Sequence, residues 1–245
     1  MQRSSPSSRR AAEFARRVDL PAIRHLSVVS STMDEAHRWA SEGAPAGALV
    51  LADAQQAGRG RMGRAWLSAP GAGIWMTLIE RPKDPKALDV LSLRIGMAAA
   101  RVLDRFAGEE VRLKWPNDLL LDSGKLGGIL IETRWREERV EWVAVGVGVN
   151  LIPPEGAAGL RLATDRFAVL EELVPALRAA CFATGLLHDA ERDAWDRRDA
   201  LKGRRLFEPA RGVAEGIAAD GALLVRTAEG TVPVRGGTVI FDAEG

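Results

Sequence analysis

Residues 111–132 read VRLKWPNDLLLDSGKLGGILIE. Val111–Lys114 and Leu119–Leu121 are short apolar runs, Asp122-Ser123-Gly124 is a turn signal, and Lys125–Glu132 returns as a longer run. The spacing predicts a β-hairpin. Upstream, Leu88, Leu91, Ile95, Ala98, Val102 and Phe106 fall on one face of a predicted helix over Leu88–Phe106. Gly73–Glu80, Ala48–Ala52 and Ile23–Val29 read as strands, and Thr32-x-x-Glu35 as a capping box opening a short helix that ends at Gly43. Downstream, Val140–Val149 reads as a strand, and Asp165–Leu186 and Ala190–Ala200 as helices. From Leu201 helical periodicity stops. Short strands follow at Val213–Ile217, Ala222–Arg226, Thr231–Val234 and Thr238–Phe241, separated by Asp220-Gly221, Glu229-Gly230 and Gly236-Gly237. The expectation is an α+β chain in three parts: a flexible N-terminal tail over 1–18, a main domain over 19–200, and a small β-barrel-like unit over 201–245, too small to be very stable alone.

Composition narrows the function classes. Of 245 residues 47% are hydrophobic and 27% charged, which is far from a disordered composition. Lys and Arg number 34 against 33 Asp and Glu, a formal charge of +1, which argues against a dedicated nucleic-acid or membrane-surface protein. One cysteine, Cys181, excludes an internal disulfide framework and a cysteine zinc cluster; its apolar helical run predicts a buried, unreactive thiol. No apolar stretch reaches the roughly 18–20 residues needed to span a bilayer, and the Ser/Arg-rich start lacks the apolar core of a signal peptide. A soluble cytoplasmic protein is expected.

Four motifs carry chemistry. Gln55-Gln56 precedes Gly58-Arg59-Gly60-Arg61-Met62-Gly63-Arg64, and Trp66 follows. Its glycines let backbone N–H groups close on an anion, and its arginines suit phosphate or carboxylate. No Gly-Lys-Ser/Thr makes it a P-loop. Two rivals stand beside this: a bland solvated loop, which would not need three glycines alternating with three arginines after an apolar strand, and a minor-groove arm, for which the flanks are strands rather than basic low-complexity sequence. Lys114-Trp115-Pro116-Asn117-Asp118 precedes Lys125-Leu126-Gly127-Gly128: Asn117 and Asp118 offer oxygens of the kind Mg²⁺ takes, and Lys114 and Lys125, on two arms of the hairpin, can offset phosphoryl charge. A plain turn with surface lysines is the structural alternative. Gly146-Val147-Gly148-Val149-Asn150 suits either close backbone approach of a ligand or a bulge. Ser30-Ser31-Thr32-Met33-Asp34 stands at a helix start, where capping alone explains Thr32. His25, His37 and His188 show no metal-ligand spacing and read as surface or satisfied side chains.

In this order the motifs resemble a biotin–protein ligase (biotin–acetyl-CoA-carboxylase ligase), over roughly 20–245. The resemblance implies a mixed-sheet catalytic domain of the class II synthetase-like, biotin–lipoate ligase fold, with an SH3-like C-terminal barrel. It implies ATP as co-substrate, biotin as substrate, Mg²⁺, and transfer through biotinyl-5′-AMP to a lysine of the biotin carboxyl carrier protein domain of acetyl-CoA carboxylase or another biotin-dependent carboxylase. By position, biotin would be met by Ser31, Thr32, Met33, Gln55, Arg59, Gly60, Arg61, Lys125, Gly146 and Gly148. ATP and its phosphates would be met by Arg61, Arg64, Trp66, Lys114, Asn117, Asp118 and Asn150, with Mg²⁺ at Asp118 and Asn117 through phosphates. Lys125 and Arg59 would be the catalytic side chains, and Met62 takes no role. About 20 residues precede the first strand, too few for a winged helix-turn-helix, so no specific DNA binding is expected. Relatives dimerise through the catalytic sheet, which leaves a homodimer open. Arg235 and the Gly236-Gly237 turn are expected to face the active site. Lipoate–protein ligase, and a non-catalytic biotin- or adenylate-binding sensor, are the competing readings.

Overall fold

Antiparallel pairing of Gly73–Glu80 with Arg139–Asn150, in register from Gly73↔Asn150 to Glu80↔Val143, sets the centre of the molecule. The structure, a computed structural model, describes residues 6–161 and 164–242. Its elements in order are α1 (Pro6–Arg17), β1 (Ile23–Val29), α2 (Thr32–Ser41), β2 (Ala48–Gln55), β3 (Gly73–Glu80), α3 (Leu91–Ala107), β4 (Arg112–Lys114), β5 (Asp118–Leu121), β6 (Gly124–Arg136), β7 (Arg139–Asn150), α4 (Arg166–Cys181) and α5 (Asp189–Arg198). Five short strands follow: β8 (Arg205–Glu208), β9 (Gly212–Ile217), β10 (Leu223–Thr227), β11 (Gly230–Val234) and β12 (Ile240–Phe241). Seven strands form one mixed sheet in the order β1-β2-β3-β7-β6-β5-β4, with β1 and β2 parallel and the other neighbours antiparallel.

Alternation along each strand sorts its side chains between two faces. Val145, Val147 and Val149 lie opposite Leu78, Met76 and Ile74, in line with Leu49 and Leu51, and this face is buried under α3 and α4. Helix α3 contributes Leu91, Ile95, Ala99 and Leu103 and stops at Gly108, whose φ of 79° is left-handed. The opposite face carries Trp75, Thr77, Ile79, Trp142, Gly146 and Gly148. Helix α2 covers only part of it, packing Ala36 and Ala40 on Ala48, Val50, Ile79 and Trp142. The uncovered remainder is the floor of the cleft described below.

Four expectations need correction. Residues 6–17, read as tail, form helix α1: Ala11, Phe14 and Ala15 recur at helical spacing and are buried, Phe14 lying 6.1 Å from the ring of Phe167 on α4. Four Ala and Phe side chains among Ser and Arg are too few to register as composition, yet the three that are buried suffice to dock one helical face. Residues 1–5, 162–163 and 243–245 lie outside the described residues. The N-cap of α2 is Ser31, whose Oγ accepts from Met33 N at 3.2 Å, rather than Thr32. Lys114 and Lys125 are not on two arms of one hairpin, because β5 lies between β4 and β6. The C-terminal strands also include β8, and they form a five-stranded antiparallel sheet of order β11-β10-β9-β8-β12; no pairing of β11 with β12 closes it among the described residues. Its Leu206, Ala214, Ile217, Leu223, Val225 and Val239 share one hydrophobic core with Val90 and Leu93. Cys181 is buried as expected, and burial pushes its thiol pKa far up. No helix among the described residues is long and apolar enough to cross a membrane.

Candidate active site

The same-face positions of the sheet converge on one cleft of about 320 Å³. Register puts Thr77 opposite Gly146, Gly146 opposite Leu130, Gly148 opposite Gly128, Gly128 opposite Asp118, and Asp118 opposite Lys114. The floor is therefore glycine where other strands carry side chains. A Cβ on Gly146 would lie 2.8 Å from Met33 Cε, and one on Gly148 2.7 Å from Trp66 Nε1. Met33 and the Trp66 indole occupy the space these glycines leave. Trp66 Nε1 is buried and has no hydrogen-bond partner, so the indole carries an open donor at the floor.

One wall is a hydrogen-bonded chain. Gln55 Oε1 accepts from Thr32 N at 2.8 Å and Thr32 Oγ1 at 3.0 Å, Thr77 Oγ1 donates to Thr32 Oγ1 at 2.9 Å, and Gln55 Nε2 donates to Ser68 Oγ at 2.8 Å. Such a wall presents oriented donors and acceptors that suit a neutral polar group.

The other wall is cationic. The glycine-rich segment leaves β2 and returns as a narrow excursion, with Gln55 bridged to Ser68 and Arg59 to Ala65, and Gly60 N donating to Arg64 O at 2.7 Å. A Cβ on Gly58 would fall 2.6 Å from Trp66 O, so only glycine lets these arms approach. At the tip Met62 takes φ 55° and is 73% exposed, at the mouth of the cleft that it helps to line. Arg59 lies 2.6 Å from Asp34 and 3.4 Å from Glu132; burial opposes its charge, but these hydrogen bonds prevail and raise its pKa. Burial lowers the pKa of Arg61, which lies 3.4 Å from Asn117 Oδ1. Lys125 Nζ is 2.6 Å from Asp118 Oδ1 and 5.2 Å from the Trp66 ring. Burial also lowers the pKa of Lys114, with Lys125 and Arg64 adding like-charge repulsion against the attraction of Asp118. Several cations held close, with few carboxylates, make a site that gains from an anionic ligand.

Of the motif residues expected to meet a ligand, all but Asn150 line this cleft. Asn150 is buried at the end of β7, where its Nδ2 donates to Lys125 O at 3.2 Å and Ala158 O at 3.0 Å, so it supports the backbone beneath Lys125. Arg235 also stays outside and pairs with Asp220 at 2.6 Å; of that turn, Gly237 reaches the cleft, together with Thr238 and Val239. Thr238 Oγ1 lies 2.5 Å from the Arg64 guanidinium, which joins the C-terminal sheet to the glycine-rich loop. Thr77 and Ser68 went unread because nothing local marks them: Thr77 lies within an apolar strand. No group of three or more His, Cys, Asp or Glu among the described residues is placed to share a metal ion, so the expected Mg²⁺ ligands Asp118 and Asn117 would be a set of only two oxygen donors. That set fits an ion carried mainly by phosphate oxygens rather than a protein cage.

Comparison with known proteins agrees with this geometry. Residues 26–150 match the biotin/lipoate A/B protein ligase family, and residues 203–242 the biotin protein ligase C-terminal domain. A bifunctional ligase/repressor of Bacillus spizizenii is 46% identical over 128 residues, 52% of this chain but 39% of that protein, so the matched region is well under half of that relative's length. The biotin–[acetyl-CoA-carboxylase] ligase of Paracoccus denitrificans is 34% identical over 243 residues, covering 88% of this chain and 99% of that one. The biotin protein ligase of Aquifex aeolicus, solved with biotin and ATP, superposes with a TM-score of 0.75 at 22% identity, covering 91% and 99% of the two chains. On these matches the chain belongs to the biotin/lipoate A/B protein ligase family and carries the C-terminal domain of its biotin protein ligases.

Proposed function

We propose that this protein activates biotin as biotinyl-5′-AMP with ATP and transfers the biotinyl group to a lysine of a biotin carboxyl carrier protein domain. The observation that carries this is one cleft with two walls of opposite character over a glycine floor: Thr32, Gln55 and Thr77 on one side, and Arg59, Arg61, Arg64, Lys114 and Lys125 on the other. Biotin has a neutral polar ring at one end and a carboxylate at the other, so it fits between them. The Paracoccus relative, matched over 99% of its length, is named for this reaction.

In the first step a biotin carboxylate oxygen attacks the α-phosphorus of ATP, the bond to the β-phosphate bridging oxygen breaks, and pyrophosphate leaves. In the second an acceptor amine attacks the carbonyl carbon, the C–O bond to AMP breaks, and the nitrogen sheds a proton. Both steps concentrate negative charge on phosphate and carboxyl oxygens, where positioned cations lower the barrier. In this reading Lys125, beside Trp66 and Asp118, meets the carboxylate and α-phosphate, Arg59 and Arg61 close over the adenylate, and Arg64 and Lys114 receive the outgoing phosphates. Trp66 offers its face to the adenine. Asp118 and Asn117 would hold Mg²⁺, which neutralises phosphate charge when bound. We assign 19–200 as the catalytic domain and 201–245 as an SH3-like unit, supported by five short antiparallel strands. Action in the cytoplasm, on ATP, belongs to the same reading.

Pyrophosphate release from ATP and Mg²⁺, with biotin or lipoate added separately, tests it. Release with biotin alone supports the proposal. Release with lipoate alone moves the chain to the sister branch of the family, and tight biotin binding without release makes it a sensor.

A further inference from the structure

Arg59 is tied to the sheet by side chains that lie outside every motif. Beyond its contact with Asp34, its Nε lies 3.4 Å from Glu132 Oε1. The other carboxylate oxygen of Glu132 lies 2.9 Å from His37 Nε2, and His37 Nδ1 lies 2.9 Å from Trp142 Nε1. An indole N–H can only donate, so Nδ1 must accept, and the neutral ring's proton sits on Nε2, donated to Glu132. Chemistry thus fixes the tautomer. Trp142 is buried among Ala36, Ala40, Ala48, Val50 and Ile79. A rigid core residue therefore orients the imidazole, the imidazole orients the carboxylate, and the carboxylate holds the arginine.

We propose that His37 and Trp142 are positioning residues that act through Glu132 to hold Arg59 over the cleft. Neither lines the cleft. The proposal rests on the reading of Arg59 as a ligand-contacting residue. A glycine-rich segment is costly to order, and fixing its arginine beforehand removes part of that cost from ligand binding. The charged groups around His37 are Glu132 on β6, Arg134 two residues further on the same face, Arg59 from the loop, and Asp34 one turn back on α2; β7 presents the neutral Trp142. Protonation of His37 would set its Nδ1–H against the indole N–H and add a cation competing with Arg59 for Glu132. Arg59 should therefore loosen on the acid side.

Three variants of the full chain test this: His37→Leu, His37→Gln and Trp142→Phe. The readouts are biotin KM and kcat of pyrophosphate release from about pH 5 to 8, and tryptic cleavage after Arg59 in ligand-free protein. In His37→Leu the biotin KM should rise about tenfold with a smaller change in kcat, and cleavage after Arg59 should accelerate. Glutamine can accept from the indole and donate to Glu132 without titrating, so His37→Gln should restore KM and abolish the acid-side rise. Trp142→Phe removes the donor that fixes the tautomer and should raise KM and accelerate cleavage after Arg59. Wild-type KM and cleavage in His37→Leu, or failure of glutamine to rescue, overturns the proposal. Should His37→Leu not fold, wild-type KM and cleavage in Trp142→Phe overturn it. Absence of biotin-dependent release in the wild type refutes the ligase reading instead, and the cleavage comparison still decides this one.

Discussion

Lys125→Met separates chemistry from folding. Methionine keeps an apolar stem and removes the charge. The Lys125–Asp118 contact is 2.6 Å, but the side chains are 39% and 20% exposed, so solvent screening limits the pair to about 0.5–1 kcal/mol of stability. The cation over Trp66, at 5.2 Å, adds about 0.5 kcal/mol. The variant should therefore lose roughly 1–1.5 kcal/mol, a fall in Tm of about 2–6 °C. Stability of roughly 5–15 kcal/mol leaves it folded at 25 °C. Removing a positioned group that stabilises transition-state charge costs about 10²–10³ in rate. Pyrophosphate release at saturating biotin and ATP, measured beside thermal unfolding, reads both. Loss within about fivefold, with Tm falling as expected, would refute a transition-state role for Lys125.

Gly148→Ala places a Cβ 2.7 Å from Trp66 Nε1, so the indole must move; near-ultraviolet circular dichroism should change and biotin KM should rise, whereas an unchanged spectrum would show the floor to be slack. Thr238→Val removes the acceptor for Arg64 and should raise the KM for ATP about 3–10-fold, read from initial rates, with Tm nearly constant. Phe14→Ala empties the seat of α1 against Phe167 and should cost about 3 kcal/mol or more in urea unfolding; a loss below about 0.5 kcal/mol would return residues 6–17 to the status of a tail. Burial pushes the Asp53 carboxyl up, but hydrogen bonds from His25 at 2.9 Å and Arg166 at 2.5 Å outweigh it and hold its pKa below 3.8. A depressed carboxylate contributes stability above its unfolded pKa and loses it as pH falls through the folded value. Stability should therefore drop below pH 3.8 in the wild type, and Asp53→Asn should flatten that limb in unfolding measured at stepped pH.

Strand alternation and turn residues made the central elements readable: β3 runs over Gly73–Glu80 as the sequence predicts, and β1 over Ile23–Val29. The cleft was readable for the same reason. Gly146 and Gly148 are two residues apart on one strand, so whatever approaches one approaches the other. That period also carries Asn150 to the same face, but only the packing of residues 157–160 under the strand end turns its amide to backbone instead of the cleft. Helix α1 was missed because Ala11, Ala12, Phe14 and Ala15 vanish in an average taken over Ser and Arg.

Local chemistry in the chain therefore determined where strands and turns lie, which segment can fold over an anion, and which lysines and arginines are available to it. Tertiary structure alone decided which of them meet. Thr77 reaches Thr32 across 45 residues, Glu132 reaches His37 across 95, and Trp142 reaches His37 across 105. Such contacts follow from strand order β3-β7-β6 and from α2 crossing one face of the sheet. The physical reason is that backbone preferences act over a few residues, whereas pairing partners are chosen by burying a shared apolar face.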